Sequence, residues 1–247
     1  MSIQKGVVWA IVPARSGSTS IRDKNITHIA GHPLIAYSIV AATLTPNIDR
    51  VIVTTDSAEY AKIANKYGAE TPFLRPLDIS GMYSTDIEFM QHAIRWFDEN
   101  EGILPEYWVH LRPTTPLRDP SVIERAINTM KVDDHADCLI SVHKTNVCPY
   151  KWFKIDECGH LQTICGNTLD EANGPRQLYP QTYVPNGYVD VLRTEQIQRT
   201  GLLRGDVAIP FETEESIDID FNEEMEAIQK LVDRHSGKVM KRLNELG

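Results

Sequence analysis

The first group of residues with chemical potential is the stretch PARSGSTSIRDKN (Pro13–Asn25), which directly follows an apolar run. It contains the cations Arg15, Arg22 and Lys24 together with four hydroxyl side chains and one glycine. Guanidinium, ammonium, hydroxyl and backbone N–H donors together suit a polyphosphate. The stretch has neither the G-x-G-x-x-G pattern nor the Gly-Lys-Ser/Thr ending of a P-loop. Taken alone, it fits a solvated polar loop equally well.

A pair of carboxylates lies near the end of the chain, in SIDIDF (Ser216–Phe221). The alternating pattern predicts a strand on which Asp218 and Asp220 face the same side. Mg²⁺ takes one or two carboxylates and lets substrate phosphates complete its coordination. Alone, the pair is better explained as the solvated face of an edge strand. Combined with the cationic loop, it favours a metal–triphosphate site.

A third motif, LRPTTPLR (Leu111–Arg118), holds two prolines, two threonines and two arginines. Like the first loop, it follows a β-rich run. In an open α/β sheet, ligands bind beyond the carboxyl ends of the strands. We therefore expect both loops at the same functional edge.

The elements that must position these motifs alternate between strand and helix. The β-rich runs of the first part are Val7–Val12, Val51–Thr54, Trp108–Leu111 and Cys138–Val142. Apolar residues at helical spacing lie between them. This alternation predicts an α/β fold with a mostly parallel central sheet covered by helices on both faces.

Two of the predicted helices have recognisable starts. Thr85 and Glu88 form a plausible capping box, and Asp119 followed by Pro120 is typical of an N-cap and a first-turn proline. The last helix is predicted from a stripe that includes Met225, Ile228, Leu231 and Val232.

The rhythm is interrupted from Lys144 to about Tyr183, where prolines, glycines and aromatic residues accumulate. It resumes with NGYVDVL (Asn186–Leu192). A stretch this long without periodicity indicates a functional insertion or a lobe that packs on a partner. The prediction is a single domain over 1–247 with an inserted lobe at about 144–185.

Composition limits the classes of function. Hydrophobic residues make up 42% of the chain and charged residues 24%, as in ordinary globular proteins. The formal net charge of -9 argues against a general nucleic-acid or anionic-membrane surface. The four cysteines form no C-x-x-C pair, so no zinc site is expected. No export signal is recognised, and we predict a cytoplasmic protein with reduced thiols.

The chain resembles the cytidylyltransferases that activate 2-keto sugar acids, the CMP-sialic acid synthetase family and its relatives. The resemblance covers nearly the whole length. Four motifs occur in the family's order: PARSGSTSIRDKN, LRPTTPLR, PRQLYPQTYVPNG and SIDID. It implies a Rossmann-like nucleotidyltransferase fold with a small dimerisation lobe, and a homodimer or dimer of dimers.

The implied reaction couples CTP to the anomeric hydroxyl of a 2-keto sugar acid and releases pyrophosphate. The sugar oxygen attacks the α-phosphate directly, so cations and Mg²⁺ are the natural catalytic devices. On this resemblance Arg15, Asp218 and Asp220 are catalytic, and the two aspartates bind Mg²⁺. The implied nucleotide-binding residues are Ala14, Arg15, Ser16, Gly17, Ser18, Arg22, Lys24, Asn25, Thr114 and Arg118. The implied acceptor-binding residues are Arg112, Thr115, Lys151, Arg176 and Asn186.

Several of these residues have plain structural alternatives. Lys151 and Arg176 could instead form salt bridges within the lobe or with a partner. Asn186–Gly187 is also the strongest short hairpin signal, and we predict a turn there. The lobe aromatics, among them Trp152, Phe153 and Tyr179, are expected at a subunit interface or in a small satellite core.

The chain departs from the family pattern in four places. Ser18, Thr19 and Ser20 replace the usual Ser-Lys-Gly, which removes a lysine expected near the β/γ-phosphates. Arg112 stands where sialic acid synthetases often have Gln, Val184 where some have Arg, and Met82 where an acidic residue is usual. These changes predict intact phosphate and metal chemistry with an altered acceptor pocket, so legionaminic, pseudaminic and related acids are all open.

Three other functions compete with this one. The first is a nucleotidyltransferase of the same fold that uses another nucleotide or acid. The second is a glycosyltransferase, because the Asp218-Ile-Asp220 segment imitates its acidic metal site, although such enzymes need no cationic triphosphate loop after the first strand. The third is a nucleotide-binding relative that lost turnover with the loop lysine.

Overall fold

The computed structural model describes residues 2–18, 20–232 and 237–247. The strands in these ranges are β1 (Ser2–Pro13), β2 (His28–Ile29), β3 (His32–Pro33), β4 (Arg50–Thr54), β5 (Ile103–His110), β6 (Cys138–Thr145), β7 (Phe153–Ile155), β8 (Leu161–Thr163), β9 (Thr182–Arg193) and β10 (Ala208–Glu212). The α-helices are α1 (Leu34–Thr43), α2 (Ala58–Lys66), α3 (Asp86–Asn100), α4 (Pro120–Val132), α5 (Leu169–Ala172), α6 (Thr194–Thr200), α7 (Asn222–Val232) and α8 (Lys238–Leu246).

Six of the strands form one sheet in the order β10-β6-β9-β5-β1-β4. The pairs β1–β4, β1–β5 and β6–β10 are parallel, and β9 is antiparallel to both β5 and β6. Five strands therefore run in one direction and bring their carboxyl ends to one edge. The predicted mostly parallel α/β sheet is confirmed.

The sheet is covered on both faces because β1 alternates between two cores. Val8, Ala10 and Val12 face the core that includes residues of α1, α4, α7 and α8. Trp9 and Ile11 face the other core, which contains the apolar stripe of α3. A strand buried on both faces reads as a continuous apolar run, as β1 does here.

Both predicted helix starts are confirmed. Thr85 and Glu88 form a reciprocal capping box at the start of α3. Asp119 caps α4 by accepting a hydrogen bond from the backbone N–H of Ser121 at 2.8 Å, with Pro120 in the first turn. These helix starts depend only on local contacts, because each capping side chain and the backbone N–H it binds lie within four residues of each other.

The strand predicted for SIDIDF is wrong. The last sheet strand is β10, and residues 213–220 have no regular secondary structure. Just after β10, the Thr213 N–H donates a last hydrogen bond to the Val142 carbonyl of β6 at 2.9 Å. Beyond Val142, β6 pairs only with β9. The following segment leaves the sheet, and the Ile219 N–H binds the Thr114 carbonyl at 2.8 Å. The segment therefore packs on a loop while keeping the two-residue alternation of a strand.

The turn predicted at Asn186–Gly187 is also wrong. Both residues lie inside β9, where the pairing with β6 shifts register: Asp190 pairs with Ile140, but Pro185 pairs with Val142. Gly187 has φ +66°, which glycine adopts without strain. The Asn-Gly pair thus forms a bulge within a continuing strand.

The segment predicted as an irregular lobe contains the β7–β8 hairpin, the short helix α5 and two 3₁₀ turns. Tyr150 and Tyr179 stack with ring centroids 5.4 Å apart. Trp152 and Phe153 are 51% and 42% exposed in the single chain. Packing within the segment therefore leaves the side chains of Trp152 and Phe153 partly exposed to solvent. None of the helices in the described ranges combines the length and apolarity needed to cross a bilayer.

Candidate active site

The loop after β1 is anchored at its base by backbone and carboxylate contacts. The Ala14 N–H donates to the Thr54 carbonyl at 3.0 Å. The Ser16 N–H and hydroxyl both donate to the carboxylate of Asp56, at 2.6 and 2.5 Å. The Asn25 side-chain amide donates to the Arg15 carbonyl at 3.1 Å. The loop is thus fixed against the end of β4 without a ligand.

The three cations of this loop have different environments. Arg15 is half-buried and folds over its own loop, with Nη1 3.4 Å from the Gly17 carbonyl. The Arg22 side chain is 97% exposed and lies beside Asp23. Lys24 is buried. Only Arg15 is held over the loop backbone, whereas Arg22 extends into solvent.

Lys24 connects the two ends of the chain at the site. Its Nζ donates to the Ile219 carbonyl at 2.7 Å and to Asp220 Oδ1 at 3.1 Å. The structure therefore brings the cationic loop and the paired aspartates together, as the metal–triphosphate interpretation requires. The prediction concerning Thr19 lies outside the described residues.

The two aspartates flank the buried Ile219 and are themselves exposed. Asp220 has its ion pair with Lys24, and Asp218 lines a cleft at the start of β9. No cluster of three or more potential metal ligands occurs in the described part of the chain. A two-carboxylate donor set still suits Mg²⁺, which keeps several waters and substrate oxygens.

Arg118 acts as an internal clamp between two loops. Its guanidinium donates to the carbonyls of Arg112 and Gly187 at 2.8 and 2.9 Å and to Ser38 Oγ at 2.8 Å. It also donates to the Thr115 carbonyl. The side chain is buried, and this burial lowers the pKa of the guanidinium. The clamp fixes LRPTTPLR against the β9 bulge.

The two threonines of LRPTTPLR lie beside the aspartate segment and the β9 bulge, respectively. The Thr114 carbonyl accepts the Ile219 N–H, and Thr115 Oγ1 is buried without a partner among the described residues. Asn186 donates from its amide to Thr213 Oγ1 at 2.6 Å and to the Glu214 carbonyl at 3.2 Å. These contacts hold residues 213–220 in place.

Arg112 belongs to a charged cluster at the carboxyl end of β5. Its guanidinium binds Asp190 Oδ2 at 3.2 Å and Asp86 Oδ2 at 2.9 Å. Arg204 binds the same Asp190 oxygen at 3.2 Å. Asp190 is almost fully buried. A buried carboxylate requires opposite charge, which the two arginines supply.

The cluster borders a cleft of about 310 Å³ that we call the arginine pocket. Its polar lining comprises Arg112, His143, Asn186, Gly187, Asp190, Arg204, Ser216 and Asp218. A larger cavity of about 810 Å³ lies between the start of α4 and helices α7 and α8, and contains Thr115 and Arg118 in its wall. The arginine pocket, unlike the larger cavity, contains a predicted metal ligand.

Two predicted acceptor-binding residues lie elsewhere in the chain. Lys151 Nζ donates to the Gly174 carbonyl at 2.9 Å. Arg176 donates to Asn146 Oδ1 and to the Thr145 carbonyl, at 3.1 and 3.0 Å. Both therefore have hydrogen bonds within the lobe, and neither lines the arginine pocket.

Sequence reasoning missed several residues at this edge. Asp56 lies two residues beyond the end of β4 in VTTD, a polar run after an apolar one that could have drawn attention to it. Arg75 is buried and donates to Thr54 Oγ1 and to the Thr54 carbonyl, at 3.1 and 2.6 Å. Asp190 and Arg204 gave no local signal, because their association requires the folded sheet.

Comparison of the sequence with known protein families identifies the family of this chain. The sequence model of the cytidylyltransferase family matches residues 9–151. This chain belongs to that family.

Three curated relatives narrow the comparison. N-acylneuraminate cytidylyltransferase of Escherichia coli is 31% identical over 86% of this chain and 49% of the relative. CMP-N,N'-diacetyllegionaminic acid synthase of Legionella pneumophila is 33% identical over 62% and 65%, respectively. Pseudaminic acid cytidylyltransferase of Campylobacter jejuni is 35% identical over 47% and 50%. The alignments thus span between about half and 65% of these relatives' length.

Solved structures support the fold. CMP:2-keto-3-deoxy-manno-octonic acid synthetase complexed with CTP superposes with a TM-score of 0.68 at 13% identity, covering 92% of this chain and 99% of the other. 4-Diphosphocytidyl-2C-methyl-D-erythritol synthase of Anaerococcus prevotii gives 0.60 at 12% identity, covering 93% and 100%. The cytidylyltransferase fold predicted from the motifs is confirmed.

Proposed function

We propose that the protein couples CTP to the anomeric hydroxyl of a sialic acid-like 2-keto sugar acid, giving the CMP-sugar and pyrophosphate. The relatives named for N-acylneuraminate, legionaminic acid and pseudaminic acid support this class of acceptor. The observation that carries the proposal is the Lys24 link, which joins the cationic loop to the Asp218–Asp220 segment.

In the proposed reaction the sugar hydroxyl oxygen forms a bond to the α-phosphorus of CTP. The bond between the α-phosphorus and the bridging oxygen breaks, pyrophosphate leaves with that electron pair, and the hydroxyl proton passes to solvent. Negative charge increases on the leaving pyrophosphate, so positively charged and N–H donors stabilise the transition state. Arg15 and the backbone N–H groups of Gly17 and Ser18 are suited to this task, since the Ala14 and Ser16 N–H groups are bonded to Thr54 and Asp56.

Mg²⁺ fits the exposed carboxylates of Asp218 and Asp220, where it would neutralise phosphate charge when bound. Lys24 keeps Asp220 close to the loop through its 3.1 Å ion pair. Ser16, Asn25 and Arg118 would act mainly by ordering the backbone around the nucleotide. We assign the remaining predicted nucleotide contacts, Ala14, Gly17, Ser18, Arg22 and Thr114, to the same proposal.

The acceptor side of the proposal involves Arg112, Thr115 and Asn186, which lie at or beside the β9 bulge. Lys151 and Arg176 would contribute only through the lobe. The partly exposed lobe aromatics Trp152 and Phe153 support a homodimer or dimer of dimers in which the lobe is covered. A cytoplasmic location belongs to the proposal as well, because CTP is a cytoplasmic metabolite.

Pyrophosphate release tests the function directly. The full chain with Mg²⁺ is incubated with CTP, UTP, ATP or GTP and with N-acetylneuraminic, legionaminic or pseudaminic acid. We expect release that depends on CTP and on one acid, with formation of the matching CMP-sugar. Release with another nucleotide, or no release from any pair by folded protein, would contradict the proposal.

A further inference from the structure

The arginine pocket contains a cation that the proposed reaction has not used. Arg204 lies on the connection between α6 and β10, and its Nη2 binds Asp190 Oδ2 at 3.2 Å. Its Nε is buried and has no hydrogen-bond partner among the described residues. A buried donor without an acceptor is unfavourable, so this position favours an acceptor supplied by a ligand.

The connection that carries Arg204 is held in a defined conformation. Gly205 has φ +66°, and a Cβ at this position would come within 2.6 Å of the Asp137 side chain. Asp137 Oδ2 in turn accepts the backbone N–H groups of Asp206 and Val207, at 2.9 and 3.0 Å. The guanidinium is thus presented from a fixed backbone, which reduces the entropy lost on binding.

The charges around Arg204 indicate the kind of ligand. Arg112 and Arg204 share one oxygen of the buried Asp190, and Arg112 also binds Asp86. Asp190 therefore already has one cation without Arg204. The Arg204 side chain remains 41% exposed, open to the same cleft as Asp218. A guanidinium with free donors beside a second guanidinium matches a planar carboxylate.

We infer that Arg204, with Arg112 beside it, binds the carboxylate of the sugar acid. This inference rests on the proposed function, since it assigns the acid group of the proposed acceptor. It places the carboxylate in the arginine pocket next to Asp218. The lobe residues Lys151 and Arg176, which bind carbonyls of their own lobe, are not needed for this contact within one chain.

Direct binding tests the assignment without requiring turnover. The affinity of each of the three sugar acids is measured by calorimetry in the presence of Mg²⁺ and the α,β-methylene analogue of CTP, which cannot release pyrophosphate. The methyl ester of the acid that binds serves as an uncharged probe. Arg204→Gln should raise the Kd of the acid about tenfold to a hundredfold, because a charge-assisted pair is lost.

The methyl ester should bind wild type and Arg204→Gln with the same Kd, and the CTP analogue should bind both equally. Arg204→Lys keeps the charge without the planar fork and should give an intermediate Kd for the acid. Arg242→Gln is the matched control, because Arg242 is similarly exposed and also pairs with a carboxylate, Glu245 at 2.8 Å, outside the arginine pocket. It should leave all Kd values unchanged.

Three results would overturn the inference: no acid binds the wild-type protein, the variant binds the acid as well as wild type does, or acid and ester lose affinity equally. The last result would indicate a structural role for Arg204. If Arg204→Gln does not fold, as judged by its melting temperature, the comparison of acid with ester in Arg204→Lys decides. Binding of the acid without pyrophosphate release from CTP would instead contradict the proposed function alone.

Discussion

Lys24 and Asp220 form a 3.1 Å ion pair between residues 196 positions apart in the sequence. The same lysine Nζ binds the Ile219 carbonyl at 2.7 Å. Lys24 therefore has a cross-linking role at the site, in addition to any contact with nucleotide. It sets the distance between the loop after β1 and the proposed metal ligands.

Replacing Lys24 tests this link. We expect Lys24→Met to lower the free energy of unfolding by about 2 kcal/mol, because a buried hydrogen bond to a charged donor is lost. It should also raise the Mg²⁺ concentration required for half-maximal pyrophosphate release. Urea unfolding and a Mg²⁺ titration measure the two effects. Arg22→Met, at an exposed cation of the same loop, is the control and should change the unfolding free energy by less than about 0.5 kcal/mol. Equal stability of the two variants would contradict the link.

Asp218 offers a sharper test of metal-dependent chemistry. Asp218→Asn should lower kcat about a hundredfold or more, because a metal ion contributes several kcal/mol at a phosphoryl transition state. Its melting temperature should stay unchanged, since the side chain is exposed. Steady-state kinetics and thermal unfolding measure this. Glu226→Gln, another exposed carboxylate, should retain full kcat, and activity of Asp218→Asn at the wild-type level would exclude the metal role.

If the loop after β1 binds the nucleotide as proposed, its anchoring by Asp56 predicts an effect on nucleotide affinity. Asp56→Asn weakens two hydrogen bonds to Ser16, so the loop must be ordered on binding. We expect the KM for CTP to rise about tenfold, equivalent to about 1.4 kcal/mol. The control is Asp49→Asn, which weakens a comparable hydrogen bond that the Val8 N–H donates to Asp49, just before β4. That variant should lose stability and keep its KM; a shared rise in KM would refute the loop argument.

His110 predicts a pH dependence of stability. The ring is fully buried, with neither nitrogen hydrogen-bonded to a described residue, and burial lowers its pKa well below the usual 6.5. Below about pH 6.5 the unfolded chain binds a proton that the folded protein does not, so this residue makes stability fall as pH falls. The charged groups around the His110 ring include Arg112, Asp86 and Asp190.

His110→Phe should remove this contribution. Between pH 7.5 and pH 5.5, the variant should lose about 1.4 kcal/mol less unfolding free energy than wild type. Urea unfolding at the two pH values measures the difference. His160→Phe, the same change at an exposed position, should follow wild type. A His110→Phe variant with the wild-type pH slope would show that the buried ring does not resist protonation.

The sequence by itself determined the elements whose signals are local. The strand runs, the α3 capping box at Thr85 and the Asp119–Pro120 start of α4 need only neighbours within a few residues. The placement of the PARSGSTSIRDKN and LRPTTPLR segments as loops after β-rich runs also followed from the sequence. The strand runs and helix starts indicated the fold class, because short segments specify them, and the ordered motifs carried the resemblance to the family.

The tertiary structure alone decided what depends on distant partners. Asp218 and Asp220 alternate like residues of a strand, but their segment leaves the β10 side of β6 after Thr213, and the Ile219 N–H binds the Thr114 carbonyl instead. Asn186 and Gly187 have hairpin chemistry, yet β6 pairs with both flanks and makes them a bulge.

The same dependence applies to the charges of the site. Nothing near Lys24 in the sequence indicates Asp220, and nothing near Arg204 indicates that it shares Asp190 with Arg112. Ion pairs of this kind depend on long-range placement by the sheet, and no local periodicity encodes them. The residue types predicted a phosphate and metal site, and the fold decided which charges meet there.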